Sequence, residues 1–468
     1  MESNPLKLGP DLYRRNAFRI LGLSTVSSFK TVTRREQSLN TAIEMQDNDA
    51  IKQLVIGSFM GLPDEPTVRS SSNRLGDPHQ RLIDELFWLP PRNDDDDIGQ
   101  RLRQSRPEGV VDLLTEWEIA EESAEEDIAN RATHSLAVFH HMLAIEIEAQ
   151  IDEELRGDQN PAKLQALKKI AEYSWNAALP RWRAILASEQ TWKWLHDRAV
   201  AIDKRRLKPA DVEAVQRGAE AALAGIMVEF MVRAANKQRT AEIERVRSIV
   251  QKSGFSGELL DTVVRGAVGP AIEDLDSQVA AFATRLGTDK TGIKQRTLQL
   301  LDELEPKITA FRMLLDKNDP KLTALEDSFA SAANNGQIAH WNQEKDDEFS
   351  FEVLKRIKTY VHSPQLLSKI DLDIESTLCF FCKERVRKQS SSYDVSMWRI
   401  SDVQPRTGNY SLGTQTIKVS RCEHCARSNQ SRGIDQHREV KKESAVGWRM
   451  GLRPSQDEVR AAFMRARF

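Results

Sequence analysis

The residues of this sequence whose types and spacing best suit chemistry are its four cysteines, which fall in two close pairs. Cys379 and Cys382 form one C-x-x-C turn, and Cys422 and Cys425 form a second after 39 intervening residues. Each turn can direct two thiolates toward one point, and two such turns supply the four sulfur ligands of a tetrahedral zinc ion. We therefore predict one zinc ion per chain in a closed structural site, since four thiolates leave no open position for catalysis.

Two other interpretations of the cysteines are a redox dithiol and a pair of structural disulfides. A redox C-x-x-C typically begins a helix within a βαβ unit, and no such unit is indicated around these pairs. Close pairing also differs from the scattered cysteines of a disulfide framework, and it suits a reducing compartment. The start, MESNPLKLGP, lacks the apolar core of a secretory signal, and no run of eighteen apolar residues predicts a membrane span. We expect a cytoplasmic protein.

The elements that would position the cysteines are short strands. From residue 371 the sequence turns to Ser and Thr clusters and alternating patterns, of which DVSMWRI and TQTIKVS are the clearest. The segment QPRTGNYSLG between them carries the Pro and Gly expected of turns. We predict a zinc ribbon over residues 371–443, followed by a basic C-terminal helix over 444–468.

The remainder of the chain reads as helical. With 468 residues, 40% of them hydrophobic, only 22 Gly and 17 Pro, the chain is long enough for about three domains and favours helices over sandwiches or barrels. Apolar residues recur at helical spacing through residues 110–370, for which we predict a bundle or solenoid of roughly eight helices. An acidic linker over residues 93–109 is expected to separate this middle region from a small N-terminal module over 1–92. The predicted fold class is mainly α.

Three N-terminal segments resemble the J-domain family of co-chaperones. They are NAFRILGL (residues 16–23), the basic segment FKTVTRREQSLNTAIEM (29–45) and NRLGDPHQRLIDELFW (73–88). The resemblance implies a small helical domain that docks on a seventy-kilodalton heat-shock-type chaperone through its basic second helix. The partner-binding residues would then be Lys30, Arg34 and Arg35. An unrelated small helical domain is the alternative interpretation.

The chain departs from the family at its catalytic trigger. The tripeptide His-Pro-Asp is missing, and no histidine lies between Met45 and Arg74. Stimulation of ATP hydrolysis is therefore not implied. Helical spacing predicts that the core of the module is formed by Phe18, Leu21, Leu23, Val32, Leu75, Leu82 and Leu86.

The sequence does not indicate an enzyme. Walker-type, H-E-x-x-H and G-x-S-x-G motifs are all absent. The adjacent His140 and His141 would point about 100° apart on a helix, so we expect packing or surface roles for them rather than metal binding. The protein is predicted to be a non-enzymatic adaptor that joins a chaperone or another large multi-protein complex to a client.

The alternative function is nucleic-acid binding. A formal net charge of −3 gives no global attraction to polyanions, so any such binding must be local. From Arg421 to the end, however, eleven Lys or Arg stand against six Asp or Glu. The candidate nucleic-acid-binding residues of this region are Arg421, Arg427, Arg432, Lys441 and Lys442.

Overall fold

The computed structural model describes residues 6, 8–56, 62–91, 101–102, 107–157 and 160–377, together with the backbone of residues 392–403 and 410–420. Over this part the protein is mainly helical, as predicted. Contacts divide the chain into two compact units, Met1–Glu273 with Pro306–Lys317, and Asp274–Glu305 with Asn318–Phe468. This division follows contacts rather than the sequence boundaries near residues 92, 110 and 370, which stay predictions.

Twelve described helices belong wholly to the first unit. They are α1 (Leu12–Arg15), α2 (Ala17–Leu21), α3 (Phe29–Glu44), α4 (Asn48–Leu54), α5 (Glu65–Gly76), α6 (Pro78–Leu86), α7 (Pro107–Glu121), α8 (Glu126–Glu154), α9 (Pro161–Ala187), α10 (Glu189–Asp203), α11 (Pro209–Asn236) and α12 (Thr240–Ser253). Two further helices contribute residues to both units, α13 (Gly257–Thr288) and α14 (Ile293–Arg312).

The second unit adds three α-helices and two strands among its described residues. They are α15 (Pro320–Glu344), α16 (Asp347–Ile357), α17 (Pro364–Thr377), β1 (Ser392–Val403) and β2 (Tyr410–Ser420), with a short 3-10 turn at Lys358–Tyr360. The two strands pair antiparallel, with Ser392 opposite Ser420 and Val403 opposite Tyr410, and the register shifts between Ile400 and Asp402. The predicted segments DVSMWRI and TQTIKVS lie within β1 and β2.

Local sequence signals explain where the helices begin and end. Asn16 caps α2 by accepting hydrogen bonds from the backbone N–H groups of Phe18 and Arg19, and Gly22 ends that helix with a φ of 59°. Asp77 caps α6, and Pro78 follows at its first position, where a missing N–H costs nothing. Similar residues occur where later helices begin or end: Asn160 caps α9, Asp319 caps α15, and Gly254 and Gly292 have positive φ angles between helices.

The helical middle is more finely divided than the sequence pattern indicated. Eleven α-helices, α7 to α17, occupy the described residues between 107 and 377, rather than about eight. Pro306 lies inside α14 without ending it. The apolar residues on either side of Pro306 are buried, as expected of core packing, with Leu301, Leu304, Ile308 and Phe311 at most 2% exposed.

Tryptophans anchor the core of the first unit. Trp175 and Trp182 on α9 are fully buried, Trp192 on α10 is nearly so, and Trp194 is half-buried. A buried tryptophan contributes one of the largest apolar surfaces available to a core. The rings of His134 and His141 on α8 lie edge-on to Trp182, with centroid separations of 5.5 Å and 6.1 Å.

Candidate functional site

The first candidate site lies in the helices α1 to α6, residues 11–89, which we call the N-terminal module. Its two motif segments are bonded to each other. The side chain of Asn16 donates to the backbone oxygen of Asp84 at 2.9 Å, and the Asp84 carboxylate accepts from the backbone N–H of Ala17 at 3.3 Å. Arg74 also donates to Asp84 at 2.6 Å. These hydrogen bonds therefore hold α2, α5 and α6 together.

The core predicted for the module is confirmed. All seven predicted residues are at most 3% exposed: Phe18, Leu21, Leu23, Val32, Leu75, Leu82 and Leu86. Helices α3 and α5 pack against each other and α2 packs on α5, so the apolar faces of all three meet in one cluster.

The module is attached to the rest of the first unit through α1 and α2. Arg14 and Arg19 both donate to Glu146 on α8, at 2.9 Å and 3.3 Å. The Glu146 side chain is only 3% exposed, so both guanidinium groups compensate a buried charge. Beside them, the Tyr13 hydroxyl and the Nδ1 atom of His141 are hydrogen-bonded at 2.8 Å.

A second attachment runs through α6. The buried carboxylate of Glu85 accepts from Arg81 at 2.9 Å and from Arg198 of α10 at 2.7 Å. Both guanidinium groups also donate to the backbone oxygen of Thr25 at 3.1 Å. His134 on α8 lies 2.7 Å from the backbone oxygen of Leu86, through its Nε2 atom. The faces of α1, α2 and α6 are thus occupied by the helical middle.

Helix α3, unlike α1, α2 and α6, has basic side chains that are exposed. Lys30 and Arg34 are exposed, and neither forms an ion pair with any described residue. Arg35 differs from them, because it is half-buried and donates to the backbone oxygen of Leu54 at 3.2 Å. The neighbouring Glu36 accepts from Ser72 of α5 at 2.6 Å. Of the three predicted partner-binding residues, two face solvent and the third also holds α3 against the end of α4.

Exposed apolar side chains stand at both ends of α3. Phe29, the first residue of α3, is 64% exposed, and Met45 directly after the helix is 74% exposed. An exposed aromatic ring beside unpaired cations is the combination from which interaction hot spots are commonly built.

The histidines considered as metal ligands are buried in a packed aromatic environment. Burial lowers the pKa of His141 to about 3 and that of His134 to about 4. Burial likewise lowers the pKa of His140 to about 4, with a further contribution from the nearby Arg181. All three are therefore neutral at pH 7. The packing interpretation of His140 and His141 is confirmed.

The predicted zinc ligands Cys379, Cys382, Cys422 and Cys425 lie outside the described residues. So do the candidate nucleic-acid-binding residues Arg421, Arg427, Arg432, Lys441 and Lys442. Within the part of the chain that the structure describes, no group of three or more His, Cys, Asp or Glu side chains could hold a metal ion.

No helix in the described part of the chain combines the length and the apolar character that crossing a membrane requires.

One charged feature escaped the sequence interpretation. Between α10 and α11 the chain reads Lys204, Arg205, Arg206, Leu207, Lys208, and all four basic side chains are exposed. Four cations in five residues are visible in the sequence itself, but the absence of nearby ion-pair partners becomes apparent only in the fold.

Comparison with known proteins adds no relative: no protein-family model, curated protein or solved structure matches this chain. Function must therefore be argued from the site itself.

Proposed function

We propose that this protein is a non-enzymatic adaptor that binds an acidic surface of a protein partner through the exposed face of α3. One observation carries the proposal: the N-terminal module is fixed to the first unit through α1, α2 and α6, while Lys30 and Arg34 of α3 are exposed and form no ion pair with a described residue. A helix held from behind in this way is presented to a partner with little further ordering, which lowers the entropic cost of association.

The docking residues of this face are Lys30 and Arg34. Their charges attract an acidic partner and raise the rate of encounter, an effect that salt screens over about 8 to 10 Å. Arg35 contributes to the same field, but its bond to Leu54 makes it a positioning residue for α3 as well.

The candidate partners follow from the resemblance to J-domains. A seventy-kilodalton heat-shock-type chaperone is the first candidate, and a large multi-protein complex is the second. Since the tripeptide His-Pro-Asp is absent from the sequence, we propose binding without stimulation of ATP hydrolysis.

The second part of the proposal is the C-terminal zinc ribbon. Because β1 and β2 pair antiparallel with Ser392 opposite Ser420, the chain segments carrying the two cysteine pairs leave the hairpin at the same end. Cys422 follows the end of β2 by two residues, and Cys382 precedes β1 by ten. This backbone arrangement supports convergence of the four thiolates. Zinc would supply folding free energy there on the order of 10 kcal/mol. A reducing, cytoplasmic location remains part of the proposal.

The proposal is tested by binding of the full chain to the seventy-kilodalton chaperone of its own host. We expect the double charge reversal Lys30→Glu with Arg34→Glu to slow association about tenfold or more at low salt. The matched control is the double reversal Lys169→Glu with Lys193→Glu, since these lysines of α9 and α10 are exposed and form no ion pair with a described residue. Equal association rates for the docking variant and the control would contradict the role of α3.

If that chaperone does not bind, the proposal that α3 binds some other acidic protein partner is tested by affinity capture from the host. The capture is carried out once with the wild-type chain and once with the double reversal. The partner sought is one retained by the wild type and lost by the double reversal. Recovery of identical proteins by both would contradict it. The alternative function, nucleic-acid binding through Arg421, Arg427, Arg432, Lys441 and Lys442, is favoured by the basic excess after residue 420. If this alternative is right, nuclease treatment should remove the captured proteins from the sample.

A further inference from the structure

The connection between α10 and α11 carries the densest group of unpaired cations in the described part of the chain. We define the basic loop as Lys204, Arg205, Arg206 and Lys208. All four are exposed, and none forms an ion pair with a described residue. By contrast, exposed cations elsewhere in the first unit, such as Arg69, Arg217 and Arg233, lie next to a carboxylate one turn away on the same helix.

The backbone of the basic loop is fixed by its own neighbours. The carboxylate of Asp203 accepts hydrogen bonds from the backbone N–H groups of Arg205 and Arg206, at 2.9 Å and 3.2 Å. The Asp211 carboxylate accepts from the backbone N–H of Lys208 at 2.7 Å, and Leu207 is 4% exposed. Both nearby acids are thus bonded to the backbone, and the buried Leu207 anchors the loop. All four basic side chains are exposed, and the Nζ atom of Lys208 also donates to the backbone oxygen of Lys204 at 3.4 Å.

The position of the loop adds to its positive character. Lys208 immediately precedes α11, a helix of 28 residues whose N-terminal end carries a partial positive charge. Asp211 and His79, whose side chains lie 3.5 Å apart, are the titratable neighbours on α11 and α6. A fixed loop therefore holds four like charges together beside a helix N-terminus. The carboxylates of Asp203 and Asp211 offset part of this charge, and an external anion would compensate the rest.

We propose that the basic loop is a binding site for the phosphate backbone of nucleic acid. Duplex DNA carries one negative charge per about 1.7 Å of its axis, a density that matches clustered cations. Guanidinium groups such as those of Arg205 and Arg206 bind phosphate oxygens in a bidentate manner. An acidic protein segment of similar density would have to hold adjacent carboxylates together against their repulsion. This site is independent of α3 and of the C-terminal basic region.

The experiment measures binding of the full chain to a labelled duplex of arbitrary sequence, over a range of salt from about 50 to 200 mM. The loop variant replaces Lys204, Arg205, Arg206 and Lys208 by Gln. The matched control replaces Lys52, Arg69, Arg217 and Arg233 by Gln, which removes the same charge from exposed side chains that already have carboxylate partners.

If the loop contacts phosphates, each lost cation reduces the slope of log K against log salt by about 0.9, so the loop variant should lose roughly 3.6 in slope. We expect its affinity to fall about tenfold or more at low salt, while the control retains the wild-type slope. The single variants Arg205→Gln and Arg206→Gln should each remove about 0.9 of slope, which keeps the result interpretable if the quadruple variant is poorly folded.

Three outcomes would overturn the proposal. One is a loop variant and a control with the same salt slope. Another is wild-type chain that does not bind the duplex or a single-stranded RNA even at low salt. The third is binding of poly-glutamate with greater affinity than either nucleic acid, which would assign the loop to an acidic protein. Loss of α3-dependent partner binding would leave the loop proposal unaffected, since the two sites share no residue.

Discussion

Individual ion pairs decide which charged side chains of the first unit are available for binding. Arg14, Arg19, Arg81 and Arg198 have the same charge as Arg34, yet each bonds a buried carboxylate, which for Arg81 lies on its own helix and for the other three on another element. Breaking such a pair leaves an uncompensated charge in the interior, so these residues are structural. Charge alone, read from a sequence, therefore does not distinguish a docking cation from a structural one.

The buried histidines make stability depend on pH in one direction. His134 has a folded-state pKa of about 4, whereas its unfolded value is about 6.5. The neutral form is favoured by folding, so its full contribution is present above pH 6.5 and is lost as the pH falls toward 4. The pKa of His141 is lowered to about 3, so its contribution to stability is likewise lost as the pH falls from 6.5 toward 3. We expect the free energy of unfolding to drop steeply between about pH 6.5 and 4.

The variant His134→Gln isolates this effect. It removes the titrating group while an amide can still donate to the backbone oxygen of Leu86, so the slope of stability against pH should become shallower below about pH 6.5. Urea midpoints measured at several pH values give that slope. Thr191→Val, at a non-titrating residue of α10, is the control and should retain the wild-type slope. A wild-type slope in His134→Gln would contradict the assignment.

The pair of arginines on Glu146 gives a second prediction. Glu146→Gln removes the buried carboxylate that Arg14 and Arg19 share and should lower the free energy of unfolding by about 3 kcal/mol, because the Arg19 side chain is itself only 7% exposed. Glu229→Gln is the control, since Glu229 pairs with Arg233 on the exposed surface of α11, where such pairs contribute at most about 1 kcal/mol. Denaturant unfolding of both variants measures the difference. Equal losses would show that the module is not held through Glu146.

At the level of helices and strands, the sequence predicted what depends on local chemistry. The apolar faces of α2, α3, α5 and α6 follow from residue type and spacing, and all seven core residues predicted for the module are buried. The module also buries Tyr13, Leu39 and Trp88, which the spacing did not predict. The bond from Arg35 to Leu54 and the bridge from Arg198 to Glu85 were missed, because they join residues 19 and 113 positions apart. No periodic pattern encodes such contacts.

The hairpin β1–β2 bears on a prediction about metal. If the four cysteines hold one zinc ion, native mass measurement should show one zinc per chain, and Cys382→Ser should abolish it. Because the metal would supply most of the local folding free energy, removing it should raise proteolytic cleavage within residues 378–427. Cleavage within α8 to α12 should stay at the wild-type rate and serves as the internal control. Zinc retained in Cys382→Ser would contradict the ligand set.

Across the whole chain, the organisation depends on contacts that no single segment reveals. The first unit combines Met1–Glu273 with the later segment Pro306–Lys317, and the residues between these two segments belong to the second unit. Helices α13 and α14 therefore contribute residues to both units. Shifts in composition predicted boundaries near residues 92 and 110. A compact unit is defined instead by which residues contact each other, and those contacts join segments that are far apart in the sequence. The four cysteines remain a sequence prediction, and Lys30 and Arg34 gain their functional interpretation from their exposure on α3.

The final prediction separates binding from stimulation. The intact protein should bind the seventy-kilodalton chaperone of its host in a manner that weakens from low to physiological salt, because the docking cations are exposed and screened. Single-turnover ATP hydrolysis by that chaperone should not accelerate, because no histidine lies between Met45 and Arg74 to serve as the trigger. A J-domain co-chaperone of the same host provides the positive control for stimulation. Strong acceleration by this chain, or binding that salt does not weaken, would contradict the assignment of α3 as an electrostatic docking helix without a trigger.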